Sequence, residues 1–479
     1  MRKKTIEEPM TMTKVQHLVL ALIAVASVAI FGTGCQTYKS QAKTMTGAWA
    51  MGNAPQAAAE FGKQADKCGK SDLVVWQLEA GAAYRAAGDF TNSNRHFDSA
   101  AAQIDAFEEQ AKTKAGLEAM SVMTEQQNLP YQGRSYDKIM LYTYKALNYL
   151  ALGETEKARP EIIHAYQCQQ DAVEDNKRRI ERSQEAEQNS KNRETIEKVK
   201  ADPKCAQNLE GATKDLEGFK FYANYVNPFT VYLDGLYFLY NGTGESDLER
   251  ARKSLNRVKE NVGDNGFIDA DIKLAESAGN GQPPSPCTYV IFETGRAASR
   301  DQIRIDIPIF VTKVPYVGAA FPKLAFHNDY ATELTVNAGE IQEKTATVAN
   351  MDSIVALDFK NEWPVILSKT VISTVAKGVA AYVAIDAAER QGGLPGVLAK
   401  AAVMATLASV NIADTRSWTT LPKEFQIARI ATPPDRKLLL STPGSAPVEV
   451  ALMDGTINVI YAKSINPQLP LLVNQFTLK

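Results

Sequence analysis

Histidine is scarce in this chain, with four copies among 479 residues, and only His96, His164 and His327 lie beyond residue 35. No HExxH pattern and no GxSxG elbow occurs, and the glycine pairs sit at turns rather than in a phosphate-cradling loop. The motifs for HExxH zinc hydrolysis and nucleophile-elbow chemistry are therefore missing, and a Ser/His or Cys/His nucleophile would need a proximity in space that sequence does not show. Two acids converging in space, as in a glycosidase, are not excluded by sequence. Cysteine is nearly as rare, at five copies with no CxxC spacing, so thiolate metal sites and redox pairs lack their motif. No cofactor and no metal is expected. Charge of one sign is lacking too: 53 Lys and Arg stand against 55 Asp and Glu. Such balance argues against nucleic-acid binding, which requires a basic face.

What is present begins at Leu18–Cys35, LVLALIAVASVAIFGTGC. Arg2, Lys3, Lys4 and Lys14 precede it, diluted by Glu7 and Glu8. Fourteen residues, Leu18 to Phe31, are apolar apart from Ser27, which is the length of a signal h-region and short for a spanning helix. Small residues and Cys35 follow. The arrangement resembles a bacterial lipoprotein signal, whose cysteine is acylated and becomes the first mature residue, although Gly32 stands where the lipobox usually has Leu. An ordinary secretory signal cleaved near Gly34, or an uncleaved anchor, is the alternative. By the same resemblance Gln36, not Asp, favours the outer membrane. The expected order is signal peptide 1–34, acylated Cys35, and a short tether 35–45 leading to the bilayer. Removing the six charged signal residues leaves 49 basic against 53 acidic in the mature chain. Cys68, Cys168, Cys205 and Cys287 remain there as one or two disulfides or as free thiols.

Residues 46–278 read as helical and repetitive. Gly81, Tyr84, Gly88, Phe90, Ser93, Phe97 and Ala100 form the clearest unit, with small residues Gly81 and Ser93 at a helix crossing and Gly88-Asp89 at the turn. Ala146, Tyr149, Gly153, Ala158 and Ala165 repeat the spacing, and Gly235, Phe238 and Ala251 do so more loosely. The pattern resembles the tetratricopeptide repeat, which implies a stacked helical scaffold that binds a protein or peptide and performs no covalent chemistry. An irregular helical domain would satisfy the same residues. Asp171–Lys204 carries nine acidic and nine basic residues with few large apolars, and reads as a solvated helical excursion (171–204).

Gly279–Pro286 has three prolines and two glycines in eight residues, a connector (279–286) between unlike halves. Beyond it, Thr288–Glu293, Ile303–Ile307, Leu324–Phe326, Glu333–Val336 and Gln342–Val348 read as strands. Val448–Met453 and Thr456–Ala462 look like a hairpin about Asp454-Gly455. Pro364–Arg390 and Leu394–Ala413 form an Ala/Val/Gly-rich helical hairpin (364–413), expected to lie buried on the sheet, with an oligomer interface or membrane contact as alternatives. The expected fold is therefore α+β and multidomain: a tetratricopeptide-like array, then a β-rich domain (287–479) with an inserted helical hairpin.

A second resemblance rests on ADTRSW (Ala413–Trp418), Leu421-Pro422, Phe425, Ala428-Arg429, GRAASRDQIRIDIPIF (Gly295–Phe310), AFPKL (Ala320–Leu324) and NPFTVYLDGLYF (Asn227–Phe238). Together these are similar to a poorly characterised family of proteobacterial envelope lipoproteins, across nearly the whole mature chain. The resemblance implies an envelope location and no established activity. Asp414, Arg416, Trp418 and Pro422 are its motif residues, acting either as a site or as a structural corner. The expected function is non-catalytic: a membrane-anchored adaptor or assembly factor with a protein or peptide partner. A homo-oligomeric envelope assembly is the second class carried, and a cell-wall-active enzyme the third.

Overall fold

A computed structural model describes residues 38–113, 129–223, 225–279, 284–311, 314–409 and 412–479. The signal peptide 1–34, Cys35, and positions 280–283 of the connector lie outside the described residues. The fold is mixed α+β, with helices in the N-terminal part and sheets in the C-terminal part.

Eleven helices precede the connector among the described residues: α1 (Tyr38–Ala50), α2 (Ala54–Lys67), α3 (Leu73–Ala86), α4 (Phe90–Thr113), α5 (Ser135–Ala151), α6 (Thr155–Gln188), α7 (Arg193–Ala201), α8 (Pro203–Gly211), α9 (Pro228–Asn241), α10 (Glu245–Val262) and α11 (Gly266–Gly279). Local chemistry explains the starts. The Asn227 side chain accepts from the backbone N–H of Phe229 and Thr230, with Pro228 supplying the fixed φ of the first turn. Asp202 caps α8 in the same way, accepting from Cys205 N ahead of Pro203. Gly88 and Gly153 make the turns of α3–α4 and α5–α6 at φ 80° and 73°, where a side chain would be strained. The expected tether is helical from Tyr38 onward, with Tyr38, Ala42 and Met45 buried.

Beyond the connector come β1 (Cys287–Thr294), β2 (Ser299–Val311), β3 (Val314–Ala325), β4 (Thr335–Ala338), β5 (Ile341–Lys344), β6 (Ala346–Asn350), α12 (Met351–Gln391), α13 (Gly393–Ser409), β7 (Glu424–Ala431), β8 (Lys437–Ser441), β9 (Val448–Ala451), β10 (Ile457–Ser464) and β11 (Leu472–Thr477). The main sheet runs β11-β10-β1-β7-β6, with β10 parallel to β1 and every other pair antiparallel. A second sheet runs β5-β4-β8-β9, and β2 pairs only with β3.

These elements form three layers. Along β1, Tyr289 and Ile291 face the helices, while Val290 and Phe292 face the second sheet with Leu438, Leu440 and Val336. Both faces of β1 are covered, which is why TYVIFE is a continuous apolar run and not an alternating one. One hydrophobic core contains Trp76, Phe97 and Phe229 from the helices together with Tyr289, Phe425 and Val459 from the sheet. The face-to-face stack of Phe229 on Phe425, at 4.0 Å between ring centres, lies in that seam.

Three expectations change. Val448–Met453 and Thr456–Ala462 are not a hairpin: β9 pairs with β8, while β10 pairs with β1 and β11. At the supposed turn, Thr456 and Ile457 donate to Lys479 O instead, so the chain crosses from one sheet to the other. Helix α12 starts at Met351 rather than Pro364, capped by Asn350, and Pro364 lies inside it. The charged stretch 171–204 is helical and largely exposed, as its composition suggests, but one side of it docks. Ile196 and Val199 are buried, and Ser368 of α12 donates to Ser183 O at 3.1 Å.

Candidate interaction site between the helices and the sheet

The small residues singled out by spacing do sit where helices touch. A Cβ on Gly81 would overlap the Phe97 ring, and Ser93 Oγ donates to Gly81 O at 2.7 Å across the same crossing. A Cβ on Gly235 would stand 2.9 Å from Leu255. Ala100, Ala146, Ala158, Ala165 and Ala251 are buried between helices, whereas Tyr84, Phe90 and Tyr149 are only half-buried. Phe238 is buried beneath the guanidinium groups of Arg250 and Arg159, 4.4 and 4.8 Å from its ring centre.

The Asp414–Pro422 motif lies in a segment, 412–423, without helix or strand, and the helices hold it by its backbone. Glu79 of α3 accepts from the backbone N–H of Thr419 and Thr420 at 2.6 and 3.1 Å, and from both hydroxyls. Tyr38 of α1 donates to Glu79 at 2.7 Å and to Ser417 O at 3.1 Å. Trp418 is buried against Phe97 and Tyr144, each ring centre 5.8 Å away. Its indole N–H donates to Thr420 Oγ1. Arg416 pairs with Asp414 at 2.8 Å and Asp72 at 3.0 Å and donates to Ser71 O. Burial pulls the Arg416 guanidinium down, yet Asp414 and Asp72 more than offset that and hold it above its usual range. Burial raises the Glu79 carboxyl against the pull of its donors. Pro422 follows in the same buried corner. The motif is thus held in place by a residue 340 positions earlier.

Glu362 of α12 forms a second junction. It takes Arg300 of β2 at 2.5 Å, Arg134 at the start of α5 at 2.9 Å and Arg179 of α6 at 3.2 Å. Burial pushes this carboxyl up, but the three guanidinium groups outweigh it and hold Glu362 far below the usual range. Asp358, one turn earlier and also buried, is raised by burial and by Glu362 itself.

Asp271 of α11 forms a third. Tyr232 of α9 and Tyr289 of β1 donate to it at 2.7 Å each, and Arg429 of β7 at 3.1 Å. Burial raises its carboxyl to about 6, with Arg429 and the two tyrosines opposing. Nearby, Glu293 accepts from Lys463 and Tyr461, whose ring carries the Arg85 guanidinium at 4.4 Å. A cavity of about 10 Å³, room for one water, lies among Arg85, Tyr144, Glu293 and Tyr461.

Glu79, Glu362 and Asp271 each accept from donors in both halves of the chain, so they bind structure to structure. Glu79, Glu362 and Asp271 escaped the sequence reading. A trace exists for Glu79, a lone acid inside the apolar run LVVWQLEAGAAY. Cys68, Cys168, Cys205 and Cys287 are all free thiols. Among the described residues, no group of three or more His, Cys, Asp or Glu side chains is placed to hold a metal. Compared with family models, curated proteins and solved structures, the chain matches none.

Proposed function

We propose that this chain is an acylated lipoprotein of the bacterial envelope, most simply of the outer membrane, that acts as a non-catalytic adaptor or assembly factor. Its helical hairpins are tetratricopeptide-like units, and Cys35 tethers the whole to a bilayer. The observation that supports this reading is the grip of Glu79, Tyr38 and Arg134 on the backbone of residues 416–420 around the Trp418 anchor. Backbone clamps plus one buried aromatic are how a helical scaffold holds an extended peptide. Here that peptide is the chain's own. The partner therefore meets other surfaces of the array, such as those where Leu152, Ile163 and Val173 remain exposed. Photocrosslinkers placed at Ile163 or Val173 in cells are expected to trap one defined envelope protein, and to lose it when Cys35→Ser releases the tether. A smear of products that is the same from these positions as from Leu439 on the second sheet contradicts the reading.

A further inference from the structure

At the outer end of the α12–α13 hairpin, α13 turns its large residues outward. On α13 the stripe Leu394, Val397, Leu398 and Met404 points outward, with Leu394 71%, Val397 65% and Leu398 61% exposed. The opposite face is small: Gly396 is buried and so close to Ala388 O that a Cβ would overlap it. On α12 the exposed stripe is Ala380, Val383, Ala384 and Ala387, while Ala381 and Ala388 turn inward beside Ile385. A hairpin built for water places large apolar residues inside and polar ones outside. Small residues between helices with large aliphatics outside is the order found in lipid, where tails are as apolar as leucine.

Three further observations point the same way. The acids of this end are neutralised within the hairpin, Asp386 by Arg390 at 2.6 Å and Glu389 by Lys400 at 2.8 Å. At this end the basic partners are the more exposed, Arg390 80% against 28% for Asp386 and Lys400 49% against 40% for Glu389, so the charge presented outward suits anionic headgroups. Beside the hairpin, β2 bulges between Pro308 and Val311, and Phe310 takes φ 57° with its ring 52% exposed, next to Ile309 packed on Gly378. A non-glycine residue in that backbone region is strained, and the effect is to set an aromatic outward on the apolar arm. Hot spots of protein interfaces are instead rich in Tyr, Trp and Arg and poor in Leu and Val, whereas this stripe is mostly Leu, Val and Ala.

We propose that the outer face of the α12–α13 hairpin docks into the interface of an anionic phospholipid bilayer, as a membrane contact independent of Cys35. The test uses the mature chain carrying Cys35→Ser, which has no acyl group, so its result is separate from the tether. It should float with vesicles of phosphatidylethanolamine and phosphatidylglycerol, and more weakly with phosphatidylcholine alone. Leu394→Asp combined with Leu398→Asp, both at exposed positions, should weaken flotation by about tenfold or more, while Leu439→Asp on the second sheet leaves it unchanged. Circular dichroism checks that the variants are folded. No flotation of the Cys35→Ser chain, or equal flotation of the double variant, overturns the proposal. So does a lipid-free dimer that the double variant dissociates, because a second copy would then be the occupant.

Discussion

Glu79 accepts the backbone N–H of Thr419 at 2.6 Å across 340 residues of chain. One buried carboxylate thereby ties the third helix to the corner that leads into β7. Replacing it by Ala leaves two backbone donors and two hydroxyls without their acceptor, and takes one of the two acceptors of the Tyr38 phenol. The expected loss is about 2–4 kcal/mol in denaturant unfolding. A loss comparable to that of an exposed substitution such as Leu152→Ala would contradict the clamp.

Gly81→Ala should cost about 1–3 kcal/mol, because its Cβ overlaps a Phe97 ring already locked against Tyr144 and Trp418. Shrinking the ring with Phe97→Leu should recover part of that loss in the double variant. Gly47→Ala is the control: nothing lies within 4 Å of its Cβ position in α1, so a gain of about 0.5–1 kcal/mol is expected. Simple additivity of the two changes at the crossing would place Gly81 away from Phe97.

Asp271 gives the fold a pH signature. Its folded pKa, about 6, lies above the ordinary value of 3.8, so the folded state holds the proton more tightly. Its contribution is therefore fully present below pH 3.8 and is lost as pH rises through 6. The stability of the wild type minus that of Asp271→Asn should fall by roughly 2–3 kcal/mol between pH 4 and pH 7, the equivalent of about two pK units. A difference that does not vary with pH, measured by urea unfolding at each pH, would contradict the shift.

The four thiols should all titrate with Ellman's reagent in denaturant without reductant. In the native state they should react slowly, since burial lifts Cys68 to about 11 and Cys168 to about 12. A titre of two or none would mean disulfides that the geometry does not contain.

The legible parts of this fold are those whose signal is local. Gly88-Asp89 and Gly153 mark helix turns because only glycine sits easily at positive φ, and the spacing from Gly81 to Ser93 marks a crossing because large side chains do not fit there. The run TYVIFE marks β1 because both its faces are covered. What escaped depends on partners distant in sequence. Residues 412–423 have no period, since helices from the other half hold them and no ladder or turn does. The Asp454-Gly455 pair looks like a hairpin until Lys479 arrives to take the backbone donors of the next strand. Pro364 reads as a helix start, but Asn350 caps the helix fourteen residues before it, and the first turns, Met351 to Ala356, are buried. The α12–α13 hairpin was read as buried from its apolar content, and only side-chain direction shows which of its residues face outward.

As proposed, Cys35 carries the lipid that holds this scaffold at a membrane. Because the α12–α13 hairpin is itself proposed to touch lipid, fractionation alone does not test it, and the decisive measurement is the intact mass of the mature chain extracted from membranes. The expected species is a chain that begins at Cys35 with diacylglyceryl and N-acyl additions, both absent from Cys35→Ser. An unmodified chain cleaved near Gly34, or one that keeps residues 1–34, would contradict it.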